Sequence, residues 1–380
     1  MEVLMKCEIQ VAAMQRAVAT VSPAVARRST LPVLSNVLIR ADKTTGITVQ
    51  ATDLEIGLST WEVATVESEG AACVPYQTFN DWLKEMDKAD VLTLAGDEDS
   101  LQAVCGKFTA DFRSIPADEF PLISGSHNKI AAIELDPADL IKLVGRVVFA
   151  ASTDESRPVL KGICLDFDAA GLTGVAVDGF RLSKMSINGF DAPAQRLIIP
   201  ADTMSVLGKI AARIGDTVLV YFPEPGAPAQ ATFNIGNVDL VSHQLQGSFP
   251  DYNNIIPTSP TKLMTLPVDR LAHAVRAALV FARDSANIIK ISISGETMSI
   301  KAASAETGDF EADLPVAFTT DEPDLIFSFG LNAVFMSQAL AAMPPGQVII
   351  EAKEPGYPFL FRPEGDGEEF VHVIMPMHVN

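Results

Sequence analysis

Residues 31–39 read LPVLSNVLI and are followed at 47–53 by ITVQATD, and this pair of segments decides the fold because it recurs. A second copy reads PVLKGICL at 158–165 and LTGVAVD at 172–178, about 126 residues further along the chain. A fainter third copy lies within 289–304. Self-similarity at a fixed period indicates a repeated structural unit, so the 380-residue chain is predicted to contain three similar domains.

Two further markers recur at matching offsets. Short apolar strands follow a helical pattern in each copy, at 91–94, 218–221 and 348–351. A Phe-Pro or Met-Pro dipeptide closes each copy, at 120–121, 249–250 and 375–376. Polar, turn-rich stretches follow the first two dipeptides and are typical of linkers. We therefore predict domains over residues 1–125, 130–256 and 260–380.

Each copy combines two helical patterns with several short strands of alternating polarity. This mixture predicts an α+β fold, in which antiparallel sheets with one buried face are packed by helices. The apolar positions at helical spacing predict six helices, over residues 10–28, 76–89, 137–149, 201–213, 268–283 and 331–343.

The composition excludes several classes of protein. No apolar run reaches the roughly 18 residues that a membrane span requires, and the first residues do not read as a signal peptide. Four cysteines lack pairing or metal-ligand spacing, which favours a reducing compartment, so we expect a cytoplasmic protein. Phosphate loops, dinucleotide-binding glycines, nucleophile elbows and zinc-ligand spacing are all missing from the sequence. We expect no cofactor and no catalytic activity.

Two aspartates, Asp53 and Asp178, hold matching positions in the first and second copies. A hydrolase could use such a carboxylate pair for acid–base chemistry if the two lay within roughly 10 Å across a cleft. Aspartate at the end of a strand is also a common turn residue. We favour the turn role for both and keep the hydrolase as an alternative.

Charge is unevenly distributed along the chain. The net charge of −20 argues against nucleic acid as a partner, because phosphate binding needs a basic surface. The six predicted helices nevertheless carry twelve basic and six acidic side chains, whereas the remainder carries sixteen basic and forty-two acidic ones. Several basic pairs are four residues apart and so share a helix face. The helices are therefore predicted to present cationic faces, although solvated helix faces also carry such residues.

Six segments, in order and at matching spacing over the whole chain, resemble the bacterial replicative sliding clamp, the beta subunit of DNA polymerase III. They are Thr30–Asn36, Ala51–Glu55, Ile115–Pro121, Ala176–Leu182, Phe249–Tyr252 and Met375–Met377. The resemblance implies a DNA clamp fold with three domains per subunit, each with antiparallel sheets outside and two helices inside. It implies a head-to-tail homodimer that forms a ring around duplex DNA and works as a non-enzymatic processivity factor.

The resemblance also implies two functional surfaces. One is a peptide pocket for the polymerase III alpha subunit, the clamp loader and other proteins with a clamp-binding motif. Its matching positions are Leu160, Val177, Gly179, Phe180, Arg181, Leu182, Pro250, Asn254, Ile255, Asn332, Phe335, Ile374, Met375, Pro376 and Met377. The other surface faces DNA without sequence preference, at Arg28, Lys84, Lys142, Arg146, Arg157, Lys209, Arg213 and Arg276. A repeat-built scaffold that binds only protein remains the third interpretation.

Overall fold

The structure, a computed structural model, describes residues 5–97, 99–123, 125–126, 133–223, 229–304, 306, 308–322, 325–365 and 369–378. The chain divides into two compact units. Unit 1 contains residues 1–141 and 205–244, and unit 2 contains residues 142–204 and 245–380. Each unit therefore combines one end of the chain with part of the predicted central domain.

Strands dominate the fold, and in chain order the described ones are β1 Met5–Gln10, β2 Asn36–Asp42, β3 Gly46–Thr52, β4 Ile56–Glu62, β5 Thr65–Ser68, β6 Gly70–Pro75, β7 Val91–Gly96, β8 Ser100–Cys105, β9 Phe108–Arg113, β10 Ile133–Leu135, β11 Gly162–Asp168, β12 Gly171–Val177 and β13 Arg181–Asn188. They continue with β14 Gln195–Pro200, β15 Val218–Tyr221, β16 Gln230–Ile235, β17 Val238–His243, β18 Lys262–Pro267, β19 Ile288–Ser294, β20 Thr297–Ser304, β21 Gly308–Pro315, β22 Ala317–Thr320, β23 Ile326–Asn332, β24 Gln347–Ala352, β25 Phe359–Pro363 and β26 Phe370–Ile374.

Each unit contains two sheets, and their strand pairs are antiparallel. In unit 1 the strand orders are β5-β1-β7-β8-β9 and β10-β15-β16-β17-β4-β3-β2-β6. In unit 2 they are β14-β11-β12-β13-β26-β25-β24-β18-β22 and β21-β20-β19-β23. Two of these sheets run across the predicted domain boundaries, because β4 pairs with β17 and β13 pairs with β26. The sheets therefore join neighbouring repeats edge to edge.

Six α-helices are described, two in each predicted domain. They are α1 Val11–Val21, α2 Tyr76–Lys84, α3 Pro137–Val147, α4 Ala201–Ile214, α5 Val268–Ala282 and α6 Ala333–Ala341. The α+β prediction with antiparallel sheets and two helices per domain is confirmed. None of the described helices is both long and apolar enough to cross a membrane.

The helix ends differ from the prediction where proline and polar residues intervene. α1 ends at Val21 because Ser22 and Pro23 open a 3₁₀ turn, so Arg27 and Arg28 lie beyond the helix. Proline fixes its own backbone and restricts the residue before it, which ends most helices. The observed helices carry eight basic and four acidic side chains. The cationic excess on the helices is therefore smaller than predicted.

Candidate functional site

Asp53 and Asp178 directly follow strands β3 and β12, in equivalent turns. The Oδ1 atom of Asp178 accepts hydrogen bonds from the amides of Phe180 and Arg181, at 2.8 and 3.0 Å. Oδ1 of Asp53 accepts the two corresponding amides, each at 2.9 Å. Both carboxylates therefore stabilise a turn, as predicted, and this structural role weakens the hydrolase alternative.

Arg181, one of the predicted pocket residues, lies in unit 2 and makes contacts on several sides. Its Nε donates to Asp178 Oδ2 at 2.8 Å, and its Nη2 donates to the carbonyl oxygen of Phe149 at 2.6 Å. Nη1 donates to the side-chain oxygen of Gln338. The guanidinium also stacks over the Phe335 ring, 4.4 Å from its centroid. Arg181 is only 9 % exposed, and this burial lowers the pKa of its guanidinium. Its hydrogen bonds and ring contact hold the side chain in one orientation.

Two apolar side chains lie exposed beside this buried arginine. Phe180 is 57 % exposed and Met375 is 36 % exposed. Their backbones meet, since the amide of Met375 donates to the carbonyl of Phe180 at 2.8 Å. Gly179, which has a φ of +96°, makes the turn that presents Phe180. We name the surface formed by Phe180, Arg181, Phe335 and Met375 the Arg181 site.

An apolar cluster lies beneath the segment that carries Pro250 and Ile255. Val177 and Leu182 belong to this cluster together with Tyr252, and Ile255 packs against it. The Tyr252 hydroxyl donates to Asp166 Oδ2 at 2.8 Å, which ties the segment to strand β11. Leu160, another predicted pocket residue, is also buried. These apolar residues can support a groove but expose little surface of their own.

Other predicted pocket residues stabilise the local structure. The Asn332 side chain caps α6 by accepting from the amides of Val334 and Phe335, at 2.9 and 3.3 Å. Ile374 is fully buried in strand β26. Met377 donates its amide to the carbonyl of Gly330 at 2.9 Å, which pins the segment that contains Pro376. Asn332 and Ile374 therefore shape the site from below rather than line it.

A cavity of about 320 Å³ is also lined by Asn254 and Ile255. Its other walls include Lys353, Tyr357 and Pro358, from the connection between β24 and β25. The Lys353 ammonium lies 5.8 Å from the centroid of the Tyr357 ring. Sequence reasoning missed these three residues because their connection is about 100 positions away from Ile255 and carries no repeat marker.

Beneath the Arg181 site, the His372 ring and the Ser183 hydroxyl belong to a buried row of hydrogen bonds. His372 is fully buried and lies against the Phe149 ring, with 5.4 Å between the ring centroids. Its Nδ1 is 3.2 Å from the Ser183 hydroxyl, which itself donates to the carbonyl of Arg146 at 2.6 Å. Nδ1 therefore carries the proton, and Nε2 has no hydrogen-bond partner among the described residues. Burial lowers the pKa of His372 to about 3.

The predicted DNA-facing cations divide between the units. In unit 1, Arg28 and Lys209 are exposed, Lys84 pairs with Asp81 at 3.3 Å, and Arg213 donates to the Thr20 hydroxyl at 2.8 Å. In unit 2, Arg157 and Arg276 are exposed, and the exposed Lys142 ammonium lies 3.9 Å from the Glu369 carboxylate.

Arg146 is a correction to the predicted DNA-facing set. It is only 8 % exposed, and its guanidinium lies 4.9 Å from the centroid of the Phe370 ring. Lys142 and Arg146 are four residues apart, but this spacing does not keep both side chains on the outer face of α3, because strand β26 covers Arg146.

The described residues contain no cluster of three or more histidine, cysteine, aspartate or glutamate side chains that could hold a metal ion. The four cysteines are buried and unpaired. The described surface therefore offers exposed apolar and aromatic side chains beside a buried arginine, together with dispersed cations.

Comparison with known proteins places the chain in one family. Three family models match in succession: the N-terminal, central and C-terminal domains of the DNA polymerase III beta subunit, at residues 5–124, 134–251 and 253–378. The beta sliding clamp of Caulobacter vibrioides is 28 % identical over 384 residues, which cover 99 % of this chain and all of that protein. The beta sliding clamp of Staphylococcus aureus is 26 % identical and covers 93 % of this chain and 94 % of its own.

Solved structures agree with the sequence matches. The DNA polymerase sliding clamp of Bacillus subtilis superposes with a TM-score of 0.91 at 24 % identity, covering 99 % of this chain and all of that one. The beta sliding clamp of Caulobacter crescentus gives 0.89 at 26 % identity, with 99 % of each chain covered. The three-domain DNA clamp fold and the three successive domain matches show that this chain belongs to the family of DNA polymerase III beta subunits, the beta sliding clamps.

Proposed function

We propose that the protein is a DNA sliding clamp of chromosomal replication, which encircles duplex DNA as a head-to-tail dimer and tethers the polymerase. The observation that carries this proposal is that three clamp-domain models match in succession, from residue 5 to residue 378. The proposal includes three domains, over residues 1–125, 130–256 and 260–380. The tether itself needs no enzymatic activity, and the cytoplasm is the expected compartment.

Ring closure requires two complementary surfaces on one subunit, and two unpaired strand edges meet that need. β9 is an edge strand of unit 1, and β21 is an edge strand of unit 2. An open edge offers unpaired backbone groups to another chain. Three exposed acidic side chains alternate along β21, namely Asp309, Glu311 and Asp313. Lys107 directly precedes β9 and Arg113 ends it, and both are exposed, as is Asp111 within the strand; β9 would therefore bring two basic groups and one acidic group to β21 of a second copy.

Head-to-tail contacts of this kind close into a ring when the rotation per subunit fits. The predicted mass in solution is twice the subunit mass of 40.6 kDa, or about 81 kDa. Phe108, which is 61 % exposed on β9, would become buried in this contact. Phe108→Asp should yield monomers at micromolar concentration, whereas a dimer of unchanged stability would exclude β9 as the closing edge.

Sliding requires weak, sequence-independent contacts. Exposed cations such as Lys142 and Lys209 can attract phosphates and release counterions, and contacts of this type weaken steeply with salt. A ring that encloses DNA stays bound without tight contacts. The small cationic excess on the observed helices is consistent with this mode of retention.

A loading experiment tests the proposal. The protein is loaded with a clamp loader on nicked circular DNA and passed over a sizing column, before and after linearisation. Retention on the circle and loss from the linear form are expected. Equal loss from both forms would refute encirclement.

Charge reversal at Lys142 and Lys209 together should reduce loading and make its decline with salt shallower, because fewer phosphate contacts then release counterions. The matched control is charge reversal at Lys43 and Lys290, two exposed lysines outside the helices, and it should load normally. Equal defects in both double variants would show that only total charge matters.

We propose that the Arg181 site is where the polymerase and other partners dock, through a short peptide. Exposed Phe180 and Met375 supply apolar contact area, and methionine adapts to different side chains. Met375→Asp should abolish polymerase stimulation without affecting retention on circular DNA. Normal stimulation by this variant would place polymerase docking elsewhere.

A further inference from the structure

Unit 1 contains a small cavity at the position that corresponds to the Arg181 site of unit 2. The cavity has a volume of about 100 Å³, and its lining includes Leu54, Pro121, Leu122, Ile123, Val241 and His243. We infer that it is a second docking site, which takes one aliphatic side chain of an extended peptide with flanking basic residues.

The correspondence follows from the repeat and from the backbone. The turn at Asp53 matches the turn at Asp178, which makes Leu54 equivalent to Gly179. The residues at this position share a positive φ, +78° and +96°. Pro121 and Pro250 occupy the same place in the Phe-Pro marker.

The strand partners correspond as well. In unit 1 the amide of His243 donates to the carbonyl of Glu55 at 2.9 Å. In unit 2 the amide of Met375 donates to the carbonyl of Phe180 at 2.8 Å. The same backbone bond therefore joins two repeats at each place, and His243 takes the pairing position in unit 1 that Met375 takes in unit 2.

The side chains differ in ways that set the ligand. Leu54 carries a side chain where Gly179 has none, and it lines the small unit 1 cavity. An engineered apolar cavity of about 150 Å³ holds a benzene ring, so about 100 Å³ suits an aliphatic side chain better than an aromatic one. Leu122 is 96 % exposed beside the cavity, and Leu54 is 47 % exposed. Single exposed apolar residues are ordinary, but these two lie on one cavity and form a contact surface, although the lining also includes the polar Thr52 and Gln230.

Acidic residues flank Leu54, which lines the rim of this cavity. Glu55 is exposed at the position that Phe180 occupies in unit 2, and Asp53 lies two residues before it. Ile56 replaces the buried Arg181, so unit 1 has no guanidinium at that position. A peptide with an arginine on either side of its aliphatic residue would complement this rim. The choice of a peptide as ligand rests on the proposed docking role of the Arg181 site.

The probe is the peptide acetyl-Gly-Arg-Leu-Arg-Gly-amide, titrated into the full protein labelled with ¹³C at leucine and valine methyl groups. Saturable shifts are expected at Leu54, Leu122 and Val241. Replacing the peptide leucine by glycine should weaken binding about tenfold or more. No shift at these methyl groups up to millimolar peptide would overturn the inference.

Variants of the protein separate this site from the Arg181 site. Leu122→Asp should abolish the shifts at Leu54 and Val241, and its exposure makes misfolding an unimportant concern. Met375→Asp should leave them unchanged. If Met375→Asp removes the shifts, or if Leu122→Asp preserves them, the peptide binds elsewhere and the inference fails. Failure of the Arg181 site alone would instead appear as normal polymerase stimulation by Met375→Asp.

A change of specificity provides a positive test. Leu54→Gly restores the residue found at position 179 and relieves a positive φ, so the fold should tolerate it. The enlarged cavity should now favour the peptide with phenylalanine in place of leucine. An unchanged preference would mean that Leu54 does not limit the cavity.

Discussion

Replacing Arg181 by methionine is expected to destabilise the protein by about 3–5 kcal/mol, the usual loss when one member of a buried ion pair is removed. The variant retains much of the apolar stem but removes the charge beside Asp178, whose side chain is only 13 % exposed. It also leaves the Phe149 carbonyl and the Gln338 side chain without their donor. Each such unsatisfied group costs about 1–3 kcal/mol, which is consistent with this range.

A double-mutant cycle in urea, monitored by circular dichroism at fixed protein concentration, measures this loss. Asp178→Asn retains the Oδ1 acceptor of the turn and removes the charge. Combined with Arg181→Met, it should recover part of the loss, because the second buried charge is then absent. Arg181→Lys should also destabilise, since an ammonium cannot reach three acceptors in a planar fork. A stability of Arg181→Met within 1 kcal/mol of the wild type would refute the reasoning.

Three further predictions concern buried or capping groups. Burial raises the pKa of three thiols to about 12, so they should resist thiol reagents at pH 8 and react after unfolding in guanidinium: Cys7, Cys73 and Cys164. The folded pKa of His372 lies below its unfolded value near 6.5, so its contribution to stability is complete above pH 6.5 and declines as pH falls towards 3. Between pH 6.5 and 5, the free energy of unfolding should fall by about 2 kcal/mol more for the wild type than for His372→Gln, as measured by urea midpoints. Equal losses in both proteins would show that His372 titrates normally. Asn332→Ala should cost about 1 kcal/mol through the lost cap of α6, whereas Asn332→Asp should cost less; thermal melts of both variants decide this.

Much of the fold could be predicted from periodicity, because the repeat preserves the features that its turns and strands require. The aspartate that follows the second repeated strand is predicted to be a turn residue, and both turns confirm this. Six helices were predicted and six are described. Their ends were harder to predict, as at Ser22 and Pro23, where a 3₁₀ turn replaces the last two turns expected of α1.

Properties that depend on distant pairing could not be predicted. Nothing in the sequence near Arg146 signals that Phe370, more than 220 positions later, lies under its guanidinium. Lys353 and Tyr357 line the cavity beside Ile255, although they are distant from it in sequence. The pairing of β24, β25 and β26 brings them there. The merging of repeats into common sheets was also hidden, because hydrophobic alternation shows which face of a strand is buried but does not identify its neighbour.

The pairing of β4 with β17, and of β13 with β26, has a consequence for synthesis of the chain. β4 ends at residue 62, but its partner β17 is complete only at residue 243. In the same way, β13 ends at residue 188 and its partner β26 is complete only at residue 374. At roughly 5–20 residues per second, the ribosome leaves each edge unpaired for about 10–40 seconds. The two delays are nearly equal because both reflect the repeat period. During each delay a nascent subunit exposes a strand that nearby nascent copies could pair with, so these edges mark where a chaperone would be needed.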